Sequence, residues 1–276
     1  MQSLKSLVPL SVKVKAHGLK RNLFSFAQDV SFWPDRFTHK LRGTPLPSGY
    51  LIHLIAQHRR PDIFLRTGEI SVQQIREMTK RAGVELESFS AILDFGCGVG
   101  RVVRQWKTLR GPEVYGTDYN PVLIEWCKKH LTFAHFDVNS LAAKLNYEDE
   151  KFDFIYALSV FTHLPEELSD AWLKELARVI KPGGYLYLTT HGAYYFPERT
   201  PAEQARLARG EVVVVATEKA GSNACATFHP EAYVRKHFTG QFEIVDHRAG
   251  KAGMATEQDA WLLRKRASGA SSSNSQ

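Results

Sequence analysis

The sequence predicts an α/β fold built on a largely parallel sheet. From residue 91 onward, short apolar runs alternate with segments of helical apolar spacing, a pattern typical of βαβ units. The run at 152–159 is almost wholly apolar, as expected of a strand that is buried on both faces. Two strand-like runs at 242–245 and 260–263 are joined by a loop with no room for a helix, so we expect an antiparallel pair at the sheet edge.

The alternating region resolves into five strands and the helices between them. Strands are predicted at 91–95, 113–117, 133–138, 152–159 and 185–190, and helices at 99–109, 121–131 and 165–180. Pro121 stands in the first turn of its helix, where proline is favoured. The run Lys181-Pro182-Gly183-Gly184 ends the helix that precedes the fifth strand.

The segments outside this alternation define the predicted domain organisation. Residues 1–90 are predicted to be a helical extension that packs on the core, with an amphipathic stretch at 71–82. Residues 91–267 form the α/β domain, and the Ser-rich tail 268–276 is expected to be disordered. Residues 193–230 are an insertion after strand five, with a helix at 201–209 and strand-like runs at 212–216 and 224–228. An insertion there covers the carboxyl edge of the sheet, where ligands bind in this architecture.

Composition places the chain among ordinary globular proteins. Apolar residues make up 43% and charged residues 24% of the 276 positions. No apolar stretch approaches the roughly 18 residues of a membrane span, and the N-terminal residues do not form a signal peptide. Three cysteines lie far apart, which disfavours a disulfide framework or a zinc site and favours a reducing compartment. We therefore expect a cytoplasmic protein without a metal.

The positive charge is concentrated near the N-terminus. The formal net charge is +7, and the first 45 residues hold eight lysines and arginines against two aspartates. Such a basic arm could be a solvated extension or an organellar targeting segment. It could also contact a membrane surface, a nucleic acid or an anionic substrate.

The first strand of the α/β region runs into a glycine-rich loop at 96–100. Glycines permit a tight turn there and let backbone N–H groups approach a ligand closely. Asp118 closes the second strand about 20 residues after the loop, where a carboxylate can bind both ribose hydroxyls. Asp137 closes the third strand, from which a side chain reaches an adenine edge. Together these features predict a nucleoside-binding site.

Two details distinguish between nucleoside cofactors. Dinucleotide-binding enzymes space their glycines as G-x-G-x-x-G, whereas this loop has the spacing G-x-G-x-G. Asp94 stands just before the loop, where a carboxylate repels a pyrophosphate and suits a ligand that carries an ammonium and a sulfonium. The spacing and the acid favour S-adenosylmethionine over NAD.

Five segments resemble, in order, the motifs of the class I S-adenosylmethionine-dependent methyltransferases. They are ILDFGCGVGR (92–101), VYGTDYN (114–120), FDV (136–138), FDFIYALSVFTHLP (152–165) and ELARVIKPGGYLYL (175–188). The resemblance implies a Rossmann-like α/β sheet of seven strands in the order 3-2-1-4-5-7-6, with strand seven antiparallel and helices on both faces. This order agrees with the antiparallel pair expected near the end of the chain.

The resemblance also implies S-adenosylmethionine as the cofactor and assigns its contacts. Asp118 corresponds to the ribose-binding acid, Tyr119 stands beside the adenine, and 136–138 is the adenine-contacting segment. The implied cofactor-binding residues are Asp94, Gly96, Cys97, Gly98, Gly100, Asp118, Tyr119, Asp137, Val138 and Ala157.

Methyl transfer to a hydroxyl or an acid requires a group that removes its proton. His163 and His191 follow the fourth and fifth strands and are the candidate catalytic bases, although either could serve in packing or as a structural donor. His229 precedes Pro230 at a predicted helix start, so we expect it to cap that helix. The aromatic run 194–196 could wall an acceptor pocket or pack beneath the insertion.

The sequence thus predicts a methyltransferase that acts on a small-molecule, glycan or lipid-linked acceptor, at oxygen rather than at carbon or nitrogen. Nucleic-acid amino-methyltransferases carry an acid or Asn followed by Pro-Pro-aromatic in their fourth-strand motif, and residues 157–160 are Ala-Leu-Ser-Val instead. Two alternatives remain open. One is a catalytically inactive S-adenosylmethionine-binding protein that docks through the basic arm, and the other is an NAD-dependent oxidoreductase.

Overall fold

The computed structural model describes residues 37–39, 43–253 and 256–267. The chain divides into two compact units, residues 1–64 and 65–276. Most of the basic arm and all of the Ser-rich tail lie outside the described residues, so the predictions for them are not addressed. Among the residues described, no helix combines the length and the apolar character that crossing a membrane requires.

The helices at Gly49–Ala56 and Pro61–Arg81 lie before the sheet in the sequence. Helix α1 (Gly49–Ala56) is capped by Ser48, whose hydroxyl accepts a hydrogen bond from the Leu51 N–H. Helix α2 (Pro61–Arg81) contains the predicted amphipathic stretch and begins ten residues earlier than that stretch. Proline at its first position explains this start, because the fixed φ of proline suits the first turn of a helix.

The second unit contains a seven-stranded sheet in the order β3-β2-β1-β4-β5-β9-β8. Its strands are β1 (Ala91–Phe95), β2 (Glu113–Asp118), β3 (His135–Val138), β4 (Phe152–Ala157), β5 (Ile180–Thr190), β8 (Phe242–Arg248) and β9 (Asp259–Lys265). Strands β1 to β5 are parallel to one another, and β9 is antiparallel to both β5 and β8. The predicted fold class, strand order and antiparallel strand are confirmed.

Both faces of the central strands are buried. In β1, Leu93 belongs to one hydrophobic cluster and Ile92 to another, because successive side chains of a strand point to opposite faces. The same alternation places Ile155 of β4 in the first cluster and Phe154 in the second. The core therefore consists of two layers with the sheet between them. Helices α3 (Pro121–His130) and α4 (Glu166–Val179) contribute Ile124 and Leu176 to these layers.

The predicted α-helix at 99–109 is wrong in type. The segment holds turns followed by a short 3₁₀ helix, Val103–Thr108. Gly100 has φ of 72°, which an α-helix does not tolerate. The apolar spacing nevertheless predicted burial correctly, because Val103 and Trp106 are at most 1% exposed.

The insertion after β5 has the elements that the sequence predicted. A 3₁₀ helix (Ala193–Glu198) leads into α5 (Pro201–Ala208), which begins with a capping box between Thr200 and Glu203. Strands β6 (Val213–Val215) and β7 (Ala226–Phe228) then pair as an antiparallel ribbon. Helix α6 (Glu231–His237) connects this ribbon to β8.

Asp153 of β4 joins three neighbouring strands near their amino ends. Its Oδ2 accepts hydrogen bonds from the Ser90 and Ala91 N–H groups, each at 2.9 Å, and Lys181 Nζ lies 2.8 Å from Oδ1. Burial alone raises the pKa of this carboxyl, but the hydrogen bonds from Lys181, Ser90 and Ala91 outweigh burial and hold the pKa below its ordinary value. The ionised carboxylate therefore stabilises the fold.

The Asp153→Asn substitution should lower the free energy of unfolding by about 2 kcal/mol at pH 7, because a carboxylate that accepts several charge-assisted hydrogen bonds is lost. Since the folded pKa lies below the unfolded one, this stability is present above the ordinary value of 3.8 and disappears as the pH falls through the folded pKa. Urea unfolding of parent and variant from pH 7 down to pH 3 measures the difference. Glu148→Gln, at an exposed acid, is the control, and an equal loss in both variants would contradict the assignment.

Candidate active site

The glycine loop between β1 and the 3₁₀ helix turns sharply at three left-handed residues. Gly96, Gly98 and Gly100 have φ of 78°, 55° and 72°. The N–H groups of Gly96 and Cys97 both donate to the Thr117 carbonyl oxygen, at 2.8 and 2.9 Å. A Cβ on Gly96 would lie 2.4 Å from Val160 Cγ2, so the loop packs directly against the segment that follows β4. Only glycine satisfies both the backbone angle and this close approach.

Asp118 ends β2 beside the loop and is 8% exposed. Its Oδ2 accepts the Gly98 N–H at 2.9 Å and its Oδ1 accepts the Asn120 N–H at 2.9 Å. Burial raises the pKa of this carboxyl, while the two backbone donors favour the ionised form. Each carboxylate oxygen accepts one hydrogen bond and so keeps a lone pair for a ligand.

Asp94 lies behind the loop in a buried polar chain and is 3% exposed. Tyr156 hydrogen-bonds to its carboxylate, and the Tyr156 hydroxyl oxygen accepts the Trp106 Nε1–H at 2.9 Å. Burial raises the pKa of Asp94 to about 7, although the Tyr156 hydrogen bond and the charge of Arg101 oppose the shift. Arg101 Nη1 in turn donates to Ser71 Oγ at 3.1 Å. A nearby cation would therefore strengthen the ionised form of Asp94.

The carboxyl ends of β2 and β3 carry exposed apolar side chains. Tyr119 is 43% exposed, Val122 is 52% and Val138 is 37%, and the strand register pairs Asp118 with Val138. Asp137, beside Val138, accepts the Val138 N–H at Oδ1 and faces Asn146 Nδ2 at 3.5 Å from Oδ2. A flat apolar ring with polar edges fits such a surface.

Two other predicted cofactor residues are buried. Ala157 is 0% exposed, in the hydrophobic core at the end of β4. Cys97 is 4% exposed, and its Sγ lies 3.6 Å from the Gly98 carbonyl oxygen. Cys127 Sγ of α3 contacts the same oxygen at 3.6 Å. In this arrangement the two thiols support the loop from the core side.

A polar network that the sequence did not reveal lies at the carboxyl ends of β4 and β5. Ser159, with φ of 57°, donates its N–H to Thr189 Oγ1 at 2.8 Å. The Ser159 and Thr189 hydroxyls both donate to Gln258 Oε1, at 3.0 and 2.7 Å. Gln258 precedes β9 and is 99 residues from Ser159 in the sequence, so no local spacing could have indicated the contact.

The two candidate catalytic histidines come together beneath the insertion. Their ring centroids lie 6.2 Å apart. His163 Nδ1 lies 2.6 Å from the Cys225 carbonyl oxygen, and His191 Nδ1 lies 3.2 Å from that of Thr227. A carbonyl only accepts, so both rings carry their proton on Nδ1 and present Nε2 as an acceptor. Burial lowers the pKa of both, with that of His191 at about 4, so both are neutral near pH 7.

The prediction that His229 caps a helix is wrong. Pro230 is the N-cap of α6 and provides no side-chain hydrogen bond, while His229 Nδ1 has no hydrogen-bond partner among the residues that the structure describes. The ring is 1% exposed and packs against Tyr233 and Phe238, and burial lowers its pKa to about 3. The preceding strand β7 directs this side chain into the core instead of over the helix end.

The insertion is held against the histidines and the edge of the sheet. The Gly221 N–H donates to the His163 carbonyl oxygen at 2.8 Å, and a Cβ on Gly221 would lie 2.4 Å from Leu141 Cδ2. Tyr195 packs on His191 with ring centroids 4.5 Å apart, and Tyr194 is 44% exposed. The aromatic run thus supplies both a packing residue and an exposed one. Within the described part of the chain, no group of His, Cys, Asp and Glu side chains is arranged to hold a metal ion.

The glycine loop lies within a region that matches a known protein family. Residues 93–188 match a family model described as a methyltransferase domain. Malonyl-[acyl-carrier protein] O-methyltransferase of Salmonella typhimurium is 32% identical, over 42% of this chain and 45% of that protein. Sterol 24-C-methyltransferase of Schizosaccharomyces pombe is 31% identical, over 34% of this chain and 26% of that protein. The chain therefore spans less than half the length of these curated relatives.

The fold is also similar to that of solved structures. A protein from Methanosarcina mazei, described as an S-adenosylmethionine-dependent methyltransferase, has a TM-score of 0.52 and 24% identity, covering 66% of this chain and 95% of that chain. A structure so described from Mesorhizobium loti has a TM-score of 0.54 and 15% identity, covering 71% and 98%. At these identities the similarity concerns the fold.

The Gly96→Ala substitution should lower the free energy of unfolding by more than the Gly83→Ala substitution does. Both variants place a Cβ on a left-handed residue, but nothing lies within 4 Å of a Cβ on Gly83, whereas Val160 blocks one on Gly96. Valine is stiff at χ1, so we expect about 1–3 kcal/mol of additional destabilisation in Gly96→Ala. Urea unfolding measures the free energy of unfolding of both variants. Equal midpoints would show that the Val160 side chain moves aside without a cost in stability.

Proposed function

We infer that this chain transfers a methyl group to a small-molecule, glycan or lipid-linked acceptor. The premise of this inference is that the chain belongs to the class I S-adenosylmethionine-dependent methyltransferase family. The observation that carries this inference is the buried Asp118 carboxylate bonded to the Gly98 N–H of a left-handed glycine loop. The donor, when bound, supplies a methyl group on a positively charged sulfur. The protein has to bind this donor, align an acceptor with it and manage the acceptor's proton.

The residues around the loop suit the parts of S-adenosylmethionine. The remaining lone pairs of Asp118 can accept the ribose hydroxyls, and Tyr119 and Val138 offer apolar surface to the adenine, with Asp137 at its edge. The glycines leave room for the methionine part to approach the backbone. Asp94, whose pKa of about 7 leaves it partly protonated at neutral pH, would gain charge beside the donor's ammonium.

The same residues do not suit a dinucleotide. A pyrophosphate at this loop would face the carboxylates of Asp94 and Asp118, and the nearby Arg101 is already engaged by Ser71 and by the charge of Asp94. Like charges in a buried site repel strongly. These observations favour a methyl donor over NAD and argue against the oxidoreductase alternative.

We place the acceptor beneath the insertion, at His163 and His191. Both rings are half-buried and neutral, and both have their Nδ1–H held by a backbone carbonyl, so Nε2 is oriented to accept a proton. An oxygen acceptor has such a proton to lose, and relatives described as O-methyltransferases are among the proteins similar to this chain. We therefore propose oxygen as the methylated atom, with His191 or His163 as the general base.

The location and partners follow from the same features. Cys97, Cys127 and Cys225 are all free and buried, which accords with a reducing compartment, and we propose the cytoplasm. The fourth-strand segment lacks the motif of nucleic-acid amino-methyltransferases, so a nucleic-acid acceptor is disfavoured. The basic arm is left as a candidate for peripheral contact with a membrane.

The Asp118→Ala substitution should weaken the binding of S-adenosylhomocysteine by about a hundredfold, because two hydrogen bonds to a buried carboxylate are lost. Isothermal titration calorimetry measures the affinity. Asp149→Ala is the control, since Asp149 is an exposed acid paired with Arg178 and lies outside the glycine loop. Absence of binding to the parent chain would overturn the cofactor assignment, and equal binding by Asp118→Ala would overturn the ribose contact.

The His191→Asn and His163→Asn substitutions test the general base. The asparagine amide can replace the Nδ1–H donor to the backbone carbonyl but offers no basic nitrogen at the position of Nε2. We expect the variant of the true base to lose about 10²–10⁴ in kcat with unchanged S-adenosylhomocysteine affinity. The assay follows label from methyl-labelled donor into metabolites that gain one methylene in mass. If donor binds but no metabolite of any extract is labelled, the inactive binding protein becomes the better interpretation.

A further inference from the structure

The polar network at the ends of β4 and β5 contains a pair of unused hydrogen-bond donors. Gln258 is 5% exposed, and its Oε1 accepts both the Ser159 and the Thr189 hydroxyls. Its Nε2, on the other arm of the same planar amide, makes no hydrogen bond to any residue that the structure describes. Because Nε2 is not one of the buried side-chain atoms that lack a partner, this nitrogen reaches solvent at the strand ends and can donate to a ligand that brings an acceptor.

The donors and acceptors around Gln258 determine the orientation of its side-chain amide. Thr189 Oγ1 already accepts the Ser159 N–H at 2.8 Å, so its own proton needs an acceptor, and Gln258 Oε1 at 2.7 Å provides it. With the amide turned over, Nε2 would face two hydroxyls, and the Thr189 proton would lack an acceptor in a side chain that is 2% exposed. Oε1 therefore points to the hydroxyls, and Nε2 keeps both of its protons for another partner.

This amide belongs to the edge of the sheet where the acceptor is placed. Ser159 precedes Val160, the residue that packs against Gly96 of the glycine loop. The register of β5 and β9 ends at Thr190 and Asp259, so the next residues of the two strands are His191 and Gln258. The two hydroxyls and the left-handed backbone at Ser159 thus hold the amide at the strand ends, beside the loop and the histidine.

We propose that Gln258 is a specificity-determining residue that binds the methyl acceptor. Its two Nε2–H donors bind an unprotonated oxygen, as in a carboxylate or a carbonyl, on an acceptor whose apolar part packs against the aromatic side chains of the insertion. Ser159 and Thr189 are positioning residues for this amide. Because an N–H donor cannot pair with an ammonium, the site discriminates against cationic acceptors. The proposal rests on the proposed methyl-transfer function.

Nuclear magnetic resonance of the ¹⁵N-labelled full chain tests the contact directly. The Gln258 side-chain signal is identified by its loss in Gln258→Met, and benzoate, benzamide and benzylamine are titrated as single-ring probes. We expect benzoate and benzamide to shift this signal saturably, and benzylamine to leave it in place. The proposal is overturned if neither oxygen-bearing probe shifts the signal at tens of millimolar, or if benzylamine shifts it as strongly.

Three variants distinguish the loss of the Gln258 Nε2–H donors from structural damage. Gln258→Met and Gln258→Glu should each bind benzoate about tenfold more weakly, because both lack the Nε2 donors, although Glu keeps oxygens for the two hydroxyls. Ser159→Ala keeps the donors and should lose less. Unchanged benzoate affinity in Gln258→Met contradicts the proposal. Loss of S-adenosylhomocysteine binding by the parent chain would contradict the methyltransferase assignment instead, since the probe titration can be repeated without that ligand.

Discussion

The hydrogen bond from the Gly98 N–H to the Asp118 carboxylate is the contact around which the site is organised. It joins the loop after β1 to the end of β2, and it requires a backbone that only left-handed glycines adopt easily. It also lies at a buried carboxyl group, where burial raises the pKa of Asp118 and the two backbone donors oppose that shift. The packing of the sheet, of which Val160 against Gly96 is one part, holds this desolvated carboxyl group in place in the native state.

The two groups of candidate site residues differ in how they are encoded. The group around the glycine loop lies within the first three strands and their connections, from Asp94 to Val138. The group around the two histidines draws on the ends of β4 and β5, on the insertion and on the start of β9. Its contacts run between distant parts of the chain, such as His163 to Cys225 and Ser159 to Gln258. Proteins that share a fold can keep one group of residues and change another, and the names of the similar proteins include different acceptors.

This difference explains what the sequence could predict. The individual strands, the glycine loop and Asp118 follow from short-range spacing. The strand order follows from the family resemblance, and the structure has the sheet as expected. The prediction of an α-helix at 99–109 was wrong because apolar periodicity indicates burial and does not detect the left-handed Gly100. His229 was misassigned because a residue before a helix can point into the core, and only tertiary packing decides this. Gln258 had no local signal, since its partners come from the segment after β4 and from β5.

The position of β9 has a consequence for how the protein is made. This strand is the last of the sheet in the chain, yet it lies between β5 and β8 and supplies the hydrogen-bonding partners of both. During synthesis, β1 to β5 and the glycine loop leave the ribosome first and can assemble in parallel order. The earlier-made β8 has to wait unpaired until residues 259–265 emerge. A nascent chain can therefore form its glycine loop before the opposite edge of its sheet is closed, and the unpaired β8 is the segment that a chaperone would need to protect.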